Sequence, residues 1–246
     1  MDECFGCLIT NTTFSIQVAR RFENDKAYAS LGNTHIIVYS KKYMETSYMQ
    51  RHPFLKDVLG ILIFILCVLV GTLLINTYIF RTFNVSGPSM ETTLYTGDRL
   101  VVNRLPVTWA NLQNRSYVPQ RGEIIVFKNP LYTMNTGDEF IVKRVIAFPG
   151  ERVVVNDGTI TVYNTEHPEG FNPDRAQADD PGSQPGSPTS GNIDTIVADD
   201  SLFVAGDHRV GDYSFDSRSG LGLIPYYDVV GPVGVRIWPF DKVRLF

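Results

Sequence analysis

The sequence predicts one N-terminal transmembrane helix followed by a mainly β extracytoplasmic domain, built as a folded sheet or a partly open barrel. Two observations predict this class: segment 58–80 is apolar and uncharged, and short apolar runs separated by turn residues follow it. Hydrophobic residues make up 43% of the 246 residues and charged residues 20%, which is typical of a folded protein. The net charge of -4 excludes a general nucleic-acid binder, which needs a basic surface.

Segment 58–80 is long enough to cross a bilayer, because a helix rises roughly 1.5 Å per residue and the hydrocarbon core is about 30 Å thick. A buried core helix is the weaker alternative, since soluble helices rarely stay apolar on every side over such a length. A cleaved secretory signal is disfavoured, because the run starts far from the N-terminus and no Ala-x-Ala sequence follows it.

Flanking charge predicts the orientation of this helix. Four basic residues precede it, namely Lys41, Lys42, Arg51 and Lys56, and Arg81 follows it. The positive-inside rule then predicts a single-pass protein of the cell (plasma) membrane, with 1–57 in the cytoplasm and 81–246 outside. Translation from Met44 or Met49 is an alternative that would make the earlier residues a start-site artefact.

The region after the helix contains seven predicted strands. They are Arg99–Asn103, Glu123–Phe127, Phe140–Ile146, Val153–Val155, Thr159–Tyr163, Ser201–Ala205 and Gly231–Ile237. The turn Asn156-Asp157-Gly158 predicts a hairpin. Segment 166–192 is dense in Pro, Gly, Ser and Asp, which predicts a flexible insertion within the β domain.

Lys143 and Arg144 are adjacent in a strongly apolar strand. Neighbouring side chains point to opposite faces of a sheet, so one of these cations faces an apolar surface unless the strand is at an edge. An edge strand would let both cations reach water. A buried lysine would instead have a lowered pKa, and its neutral amine could act as a general base.

Two further segments carry polar chemistry. Ser89 follows the turn formed by Gly87 and Pro88, a position that by itself favours a simple capping role. Segment 202–225 passes from a strand into a polar loop, in which Asp216 and Arg218 can form an ion pair.

Taken together, these segments resemble the bacterial type I signal peptidases (leader peptidases), which cleave signal peptides from exported proteins. The resemblance covers most of residues 55–240 in the same order. It rests on Ser89-Met90 with Thr93-Leu94 and Gly97-Asp98, Arg121-Gly122-Glu123-Ile124, Lys143-Arg144-Val145-Ile146, Pro149-Gly150-Glu151, Gly206-Asp207-x-Arg209 and Ser214-x-Asp216-Ser217-Arg218.

The resemblance implies a serine endopeptidase with a Ser–Lys dyad, in which Ser89 is the nucleophile and Lys143 the general base. It also implies that Ser214 orients the lysine amine and that Asp216 and Arg218 are structural supports. The backbone N–H of Ser89 would form the oxyanion hole, and Gly87 stands where some family members add a hydroxyl donor.

The substrates implied by the resemblance are signal peptides of secreted precursor proteins with small residues at the −1 and −3 positions. The extended segments Phe83–Gly87 and Phe140–Val142 are expected to receive the substrate as an added strand. Shallow apolar pockets would be lined by Val85, Met90, Leu94, Ile141 and Val142. Membrane lipid is the other expected partner.

Three positions depart from the family's pattern. Thr92 stands where proline is usual, and His208 where asparagine is common. Four residues, 210–213, separate Arg209 from Ser214, against two in the usual pattern.

Other classes explain less of the sequence. A Ser-His-Asp hydrolase would need His208 beside Asp207 as its base, since His167 lies in the predicted insertion. Ser–Lys repressors are soluble DNA-binding proteins, and a membrane-anchored binding domain leaves the ordered Ser and Lys motifs unexplained. The pair Cys4 and Cys7 has no further ligands nearby, so no metal or cofactor is predicted.

Overall fold

The computed structural model describes residues 26–31, 34–39, 53–134, 137–177 and 184–246. Cys4 and Cys7, as well as Met44, Met49 and most of the basic residues used to predict orientation, lie outside these ranges. Residues up to Leu66 and residues from Cys67 onward form two separate units. The first contains an antiparallel hairpin of β1 (Lys26–Leu31) and β2 (Thr34–Tyr39).

Helix α1 spans Pro53–Leu74 and continues into a π-helical turn at Ile75–Ile79. The stretch Asp57–Ile79 is the one helix of the described ranges that is long and apolar enough to cross a membrane. It nearly coincides with the predicted segment 58–80.

The second unit is mostly antiparallel β-structure, so the predicted fold class is confirmed. Its strands are β3 (Phe80–Asn84), β4 (Arg99–Asn103), β5 (Ile124–Lys128), β6 (Phe140–Ala147), β7 (Arg152–Asn156), β8 (Thr159–Tyr163), β9 (Ile193–Ile196), β10 (Ser201–Ala205), β11 (Ile224–Pro225), β12 (Val229–Trp238) and β13 (Arg244–Leu245). An eight-stranded sheet has the order β11-β10-β6-β5-β12-β4-β3, with β13 also paired to β12, and a small sheet has the order β8-β7-β9.

All seven predicted strands are present, with ends that differ by a residue or two. The sequence did not predict the short helix α2 (Leu105–Leu112) or the strands β3, β9, β11 and β13.

The insertion predicted to be flexible has several fixed contacts with the β domain. Phe171 forms a β-bridge to Val162, a 3-10 helix spans Pro173–Gln177, and Asp174 forms an ion pair with Arg209 at 2.6 Å. Its flexibility stays a prediction.

The alternation of side chains along β5 divides the core. Ile124 and Val126 pack on one face with Met90 and Leu94, whereas Ile125 packs on the opposite face in a second cluster. The first cluster therefore supports the turn that carries Ser89.

Candidate active site

Lys143 lies in the interior of the large sheet. Its strand β6 pairs with β5 along Phe140–Arg144 and with β10 only from Arg144 to Ala147, so that Lys143 lies next to the point where the β10 pairing ends. Lys143 is 3% exposed and Arg144 is 2% exposed, which means that both cations are buried, on opposite faces of the strand. Burial of this kind requires polar partners for each cation.

The partner of Lys143 is the hydroxyl of Ser89. The Lys143 Nζ atom donates to Ser89 Oγ at 2.7 Å and to the Val142 carbonyl at 3.1 Å. Burial lowers the pKa of Lys143 to about 8, although the nearby carboxylates of Asp216 and Asp207 favour the charged amine. Near this pH a large fraction of the amine is neutral, and the neutral amine can accept the Ser89 proton.

The Ser89 turn is held by backbone hydrogen bonds and by two buried side chains. Val85 N–H donates to the Asp98 carbonyl at 2.8 Å, and Gly87 adopts a φ of 86°, which favours glycine. Met90 and Leu94 are fully buried in the core. They pack in one cluster with Val85 and Val142, and their place in the substrate pockets stays a prediction.

Ser214 contacts the supporting loop. Its hydroxyl donates to Asp216 Oδ2 at 2.6 Å, whereas the hydrogen bonds of Lys143 Nζ go to Ser89 and Val142. The orientation of the amine by Ser214 that the resemblance implies therefore stays a prediction.

Asp216 and Arg218 form the buried ion pair that the sequence predicted. Arg218 Nη2 donates to Asp216 Oδ2 at 2.7 Å, and the Gly206 N–H donates to the same oxygen at 2.9 Å. Burial alone would raise the pKa of Asp216, but the hydrogen bonds from Arg218 and Ser214 lower it. This carboxylate therefore stays charged and ties the loop to the end of β10.

A second buried network joins the strand of Lys143 to the turn of Ser89, and the sequence analysis missed it. Arg144 donates to both oxygens of Asp207, at 2.7 and 2.5 Å, and Thr93 Oγ1 donates to Asp207 Oδ2 at 2.5 Å. The adjacent cations at 143 and 144 were the available signal, since two buried charges on opposite faces need two separate sets of partners.

His208 is placed against the backbone of the turn. The backbone N–H of His208 donates to the Ser89 carbonyl at 3.1 Å, and the ring Nδ1 lies 3.2 Å from the Pro88 carbonyl oxygen. The Ser89 hydroxyl is bonded to Lys143, and Asp207 is bonded to Arg144. This geometry does not support a Ser-His-Asp arrangement.

A cleft of about 660 Å³ opens beside Ser89 and Lys143. Its lining includes Gly87 and three of the predicted pocket residues, Val85, Ile141 and Val142. Phe83 and Phe140, from the two segments expected to receive the substrate, also line it, as do Tyr213 and Phe215, which were not predicted to belong to the site.

A hydroxyl bonded to a buried amine of lowered pKa, beside an apolar cleft, is suited to acyl transfer by a serine hydrolase. Comparison with known proteins gives the family. The sequence matches the family described as "Signal peptidase, peptidase S26" over residues 55–238, and the chain belongs to this family.

Individual relatives are similar over most of their length. Signal peptidase I P of Bacillus subtilis subsp. natto is 30% identical over 73% of this chain and 89% of its own. Signal peptidase IB of Staphylococcus aureus (strain COL) is 29% identical over 77% of this chain and 94% of its own length. The crystal structure of a signal peptidase I from Enterococcus faecalis V583 is 24% identical, with a TM-score of 0.31, over 47% of this chain and 96% of that one.

Proposed function

We propose that the chain is a membrane-anchored serine endopeptidase that removes signal peptides from exported precursor proteins, with Ser89 as the nucleophile and Lys143 as the general base. The observation that carries the proposal is the 2.7 Å hydrogen bond between a reactive hydroxyl and a lysine amine that is 3% exposed. Membership of the signal peptidase family gives the substrate class.

The chemistry requires a base for each proton transfer. Neutral Lys143 takes the Ser89 proton as Oγ attacks the scissile carbonyl, and it then protonates the amine that leaves. The same amine next activates the water that hydrolyses the acyl-enzyme. The backbone N–H of Ser89 stabilises the oxyanion, and such donors contribute about 3 kcal/mol each.

Free backbone edges support binding of the substrate as an extended strand. β3 lies at the end of the large sheet, and β10 pairs with β6 only from Arg144 to Ala147, which leaves Phe140–Val142 without a partner on that side. An extended peptide between these edges would pass Ser89, with small −1 and −3 side chains against Val85, Ile141 and Val142.

The apolar helix restricts the search for substrate. We propose that segment 58–80 crosses the cell membrane with the N-terminus in the cytoplasm, which places the β domain outside. Precursors held in the same membrane then meet the cleft at a raised effective concentration.

The test is cleavage of an Ala-x-Ala precursor by the full-length protein in detergent, with the cut site determined by mass spectrometry. Wild type should cleave after the second alanine, and S89A should lose this activity. S116A is a matched Ser→Ala control, because Ser116 is exposed and is not part of the cleft lining, and it should stay active. Cleavage by S89A at the wild-type rate, or its absence in folded wild type, would contradict the proposal.

A further inference from the structure

Two aromatic side chains, Tyr213 and Phe215, reach the cleft from the loop between β10 and β11. They alternate along this loop with Ser214 and Asp216, which are buried. Tyr213 and Phe215 are instead 60% and 49% exposed, and both belong to the lining of the cleft. The proposed chemistry at Ser89 uses neither ring, so their place beside the substrate needs its own explanation.

The ring of Tyr213 is held against the turn that carries Ser89. It stacks on the ring of His208, with 4.4 Å between the ring centroids and 17° between the ring planes. His208 in turn contacts the turn twice, through its backbone N–H to the Ser89 carbonyl at 3.1 Å and through its ring Nδ1, 3.2 Å from the Pro88 carbonyl oxygen. A side chain held in this way loses little conformational freedom when a ligand contacts it.

Both members of this stack stand where the chain departs from the pattern of its family. His208 takes the place of the common asparagine, and Tyr213 is the last residue of the longer spacer 210–213. Within the spacer, Gly211 adopts a φ of 61° and donates its N–H to Ser190 Oγ at 2.8 Å. The stack therefore concerns a property in which this chain can differ from its relatives, such as substrate preference, and not the chemistry that they share.

The two ends of the cleft can be told apart. At one end the rings of Phe83 and Phe140 lie 5.2 Å apart, and at the other end Lys143 Nζ donates to Ser89 Oγ at 2.7 Å. In the proposed function, the substrate residues before the scissile bond lie between these ends. The residues after the scissile bond then continue beyond Ser89, on the side where the stacked rings lie.

We propose that Tyr213 and Phe215 form a subsite for residues +1 and +2, the first two after the scissile bond, and favour aromatic or large aliphatic side chains there. His208 is the positioning residue that holds Tyr213. The inference rests on the proposed peptidase function and gives that site a substrate preference. The Glu91 carboxylate lies 3.8 Å from His208 Nδ1, so like-charge repulsion disfavours an acidic side chain at this end.

The preference should appear in the acylation step. Residues +1 and +2 leave with the amine product when the acyl-enzyme forms, so their contacts act before that point and not on hydrolysis of the acyl-enzyme. The value of kcat/KM reports acylation, whereas the rate at which a preformed acyl-enzyme hydrolyses should be the same for every residue at +1 and +2.

Four peptides with one Ala-x-Ala sequence test the preference on the full-length protein in detergent. They differ only at +1 and +2, which are Gly-Gly, Phe-Phe, Lys-Lys or Glu-Glu. The kcat/KM for Phe-Phe should exceed that for Gly-Gly about fivefold, a factor typical of contact between aromatic side chains, and Glu-Glu should be the poorest substrate. A Phe-Phe peptide cleaved no faster than Gly-Gly, or more slowly than Lys-Lys or Glu-Glu, would overturn the proposal.

Variants assign the preference to the two rings. Y213A/F215A should reduce the Phe-Phe to Gly-Gly ratio of kcat/KM from about five to about one, whereas Y213F should keep it. Y227A is a matched control, because Tyr227 is 82% exposed and is not part of the cleft lining, and it should keep the ratio as well. Because the ratio is taken within each variant, a general loss of folded protein cancels. An unchanged ratio in Y213A/F215A would overturn the assignment.

The role of His208 is tested by the same ratio. H208A removes the stack and should lower the ratio, whereas H208F keeps a flat ring against Tyr213 without the Nδ1 atom and should restore it. Equal ratios in H208A and wild type would overturn the positioning role.

Failure of the subsite and failure of the proposed function give different results. Wild type that cleaves all four peptides equally, with cleavage lost in S89A, would overturn the subsite alone. Folded wild type that cleaves none of the four peptides would overturn both.

Discussion

The protonation of Lys143 controls the Ser89 hydroxyl. Water is nearly excluded from Nζ, and the resulting loss of hydration outweighs the favourable charges of Asp216 and Asp207, so the pKa falls to about 8. Because the pKa is lowered, the charged form dominates below pH 8 and the neutral form above it. Since a charged amine cannot accept the Ser89 proton, the reaction proposed for this site depends on pH.

The first prediction is that kcat/KM rises with pH through a midpoint near 8, at which half of Lys143 is neutral. Below the midpoint the rate should fall about tenfold for each pH unit, as a single essential base requires. K143R should be inactive, because a guanidinium group stays protonated. Stopped-flow single-turnover kinetics between pH 6 and 10 measures this profile.

A histidine base would give a different curve, since its ordinary pKa is about 6.5. A midpoint at that value, or substantial turnover by K143R, would remove Lys143 from the role proposed for it.

At the scale of elements, the end of β10 depends on a glycine at a very close approach. A Cβ atom on Gly206 would lie 2.1 Å from Ser214 Oγ and 2.2 Å from the Ser89 carbonyl oxygen. Both distances are far below van der Waals contact. The turn of Ser89 and the loop of Ser214 therefore meet at a point where no side chain fits.

The second prediction follows from this packing. G206A should displace the Ser89 turn and abolish detectable cleavage, with a loss of stability of about 1–3 kcal/mol from overpacking. G234A in β12 is the control, because its Cβ would meet only the Val101 carbonyl oxygen, at an ordinary 3.6 Å. Turnover and thermal unfolding measured on both variants check the prediction, and full activity in G206A would refute it.

The elements differ in how well the sequence predicts them. Strand β8 alternates polar and apolar residues from Thr159 to Val162, and this pattern alone locates it. Helix α2 was not predicted, because an eight-residue helix with Pro106 near its start gives too short a periodic signal. β11 and β13 consist of two residues each, and their pairing depends on tertiary contacts.

The candidate site shows the same limit. The motif order identified Ser89 and Lys143 as a pair, but the strand sequence left the burial of Lys143 open, because burial depends on which strands flank β6. The partner of Ser214 depends on the path of the preceding loop. The direction of Met90 depends on how the Ser89 turn folds onto the core, which no local pattern specifies.

At the scale of the whole molecule, the insertion at 166–192 is attached to the β domain through a buried cation. Arg209 is fully buried, donates to both oxygens of Asp174 at 2.6 and 2.7 Å, and donates from Nε to the Gly206 carbonyl at 2.7 Å. The segment that composition predicts to be mobile thus supplies the counter-ion of a core residue next to the site.

The third prediction is that D174A destabilises the protein by about 3 kcal/mol, since it leaves the buried charge of Arg209 without its partner. It should also make the insertion more sensitive to added trypsin. D212A removes an exposed carboxylate from the loop that follows Arg209 and should have little effect on either. Thermal unfolding and limited proteolysis measure both variants, and equal behaviour would show that the ion pair does not hold the segment.

The half-neutral amine of Lys143 has a consequence for inhibitor design. A neutral boronic acid captured by Ser89 Oγ becomes an anionic adduct, and the released proton remains on Nζ. Above pH 8 this capture exchanges no proton with solvent, whereas below pH 8 the amine must first give up a proton, so the apparent affinity falls with acidity. The apparent affinity of each compound at pH 6 would then be about fiftyfold lower than at pH 8, although the order of the compounds would stay the same.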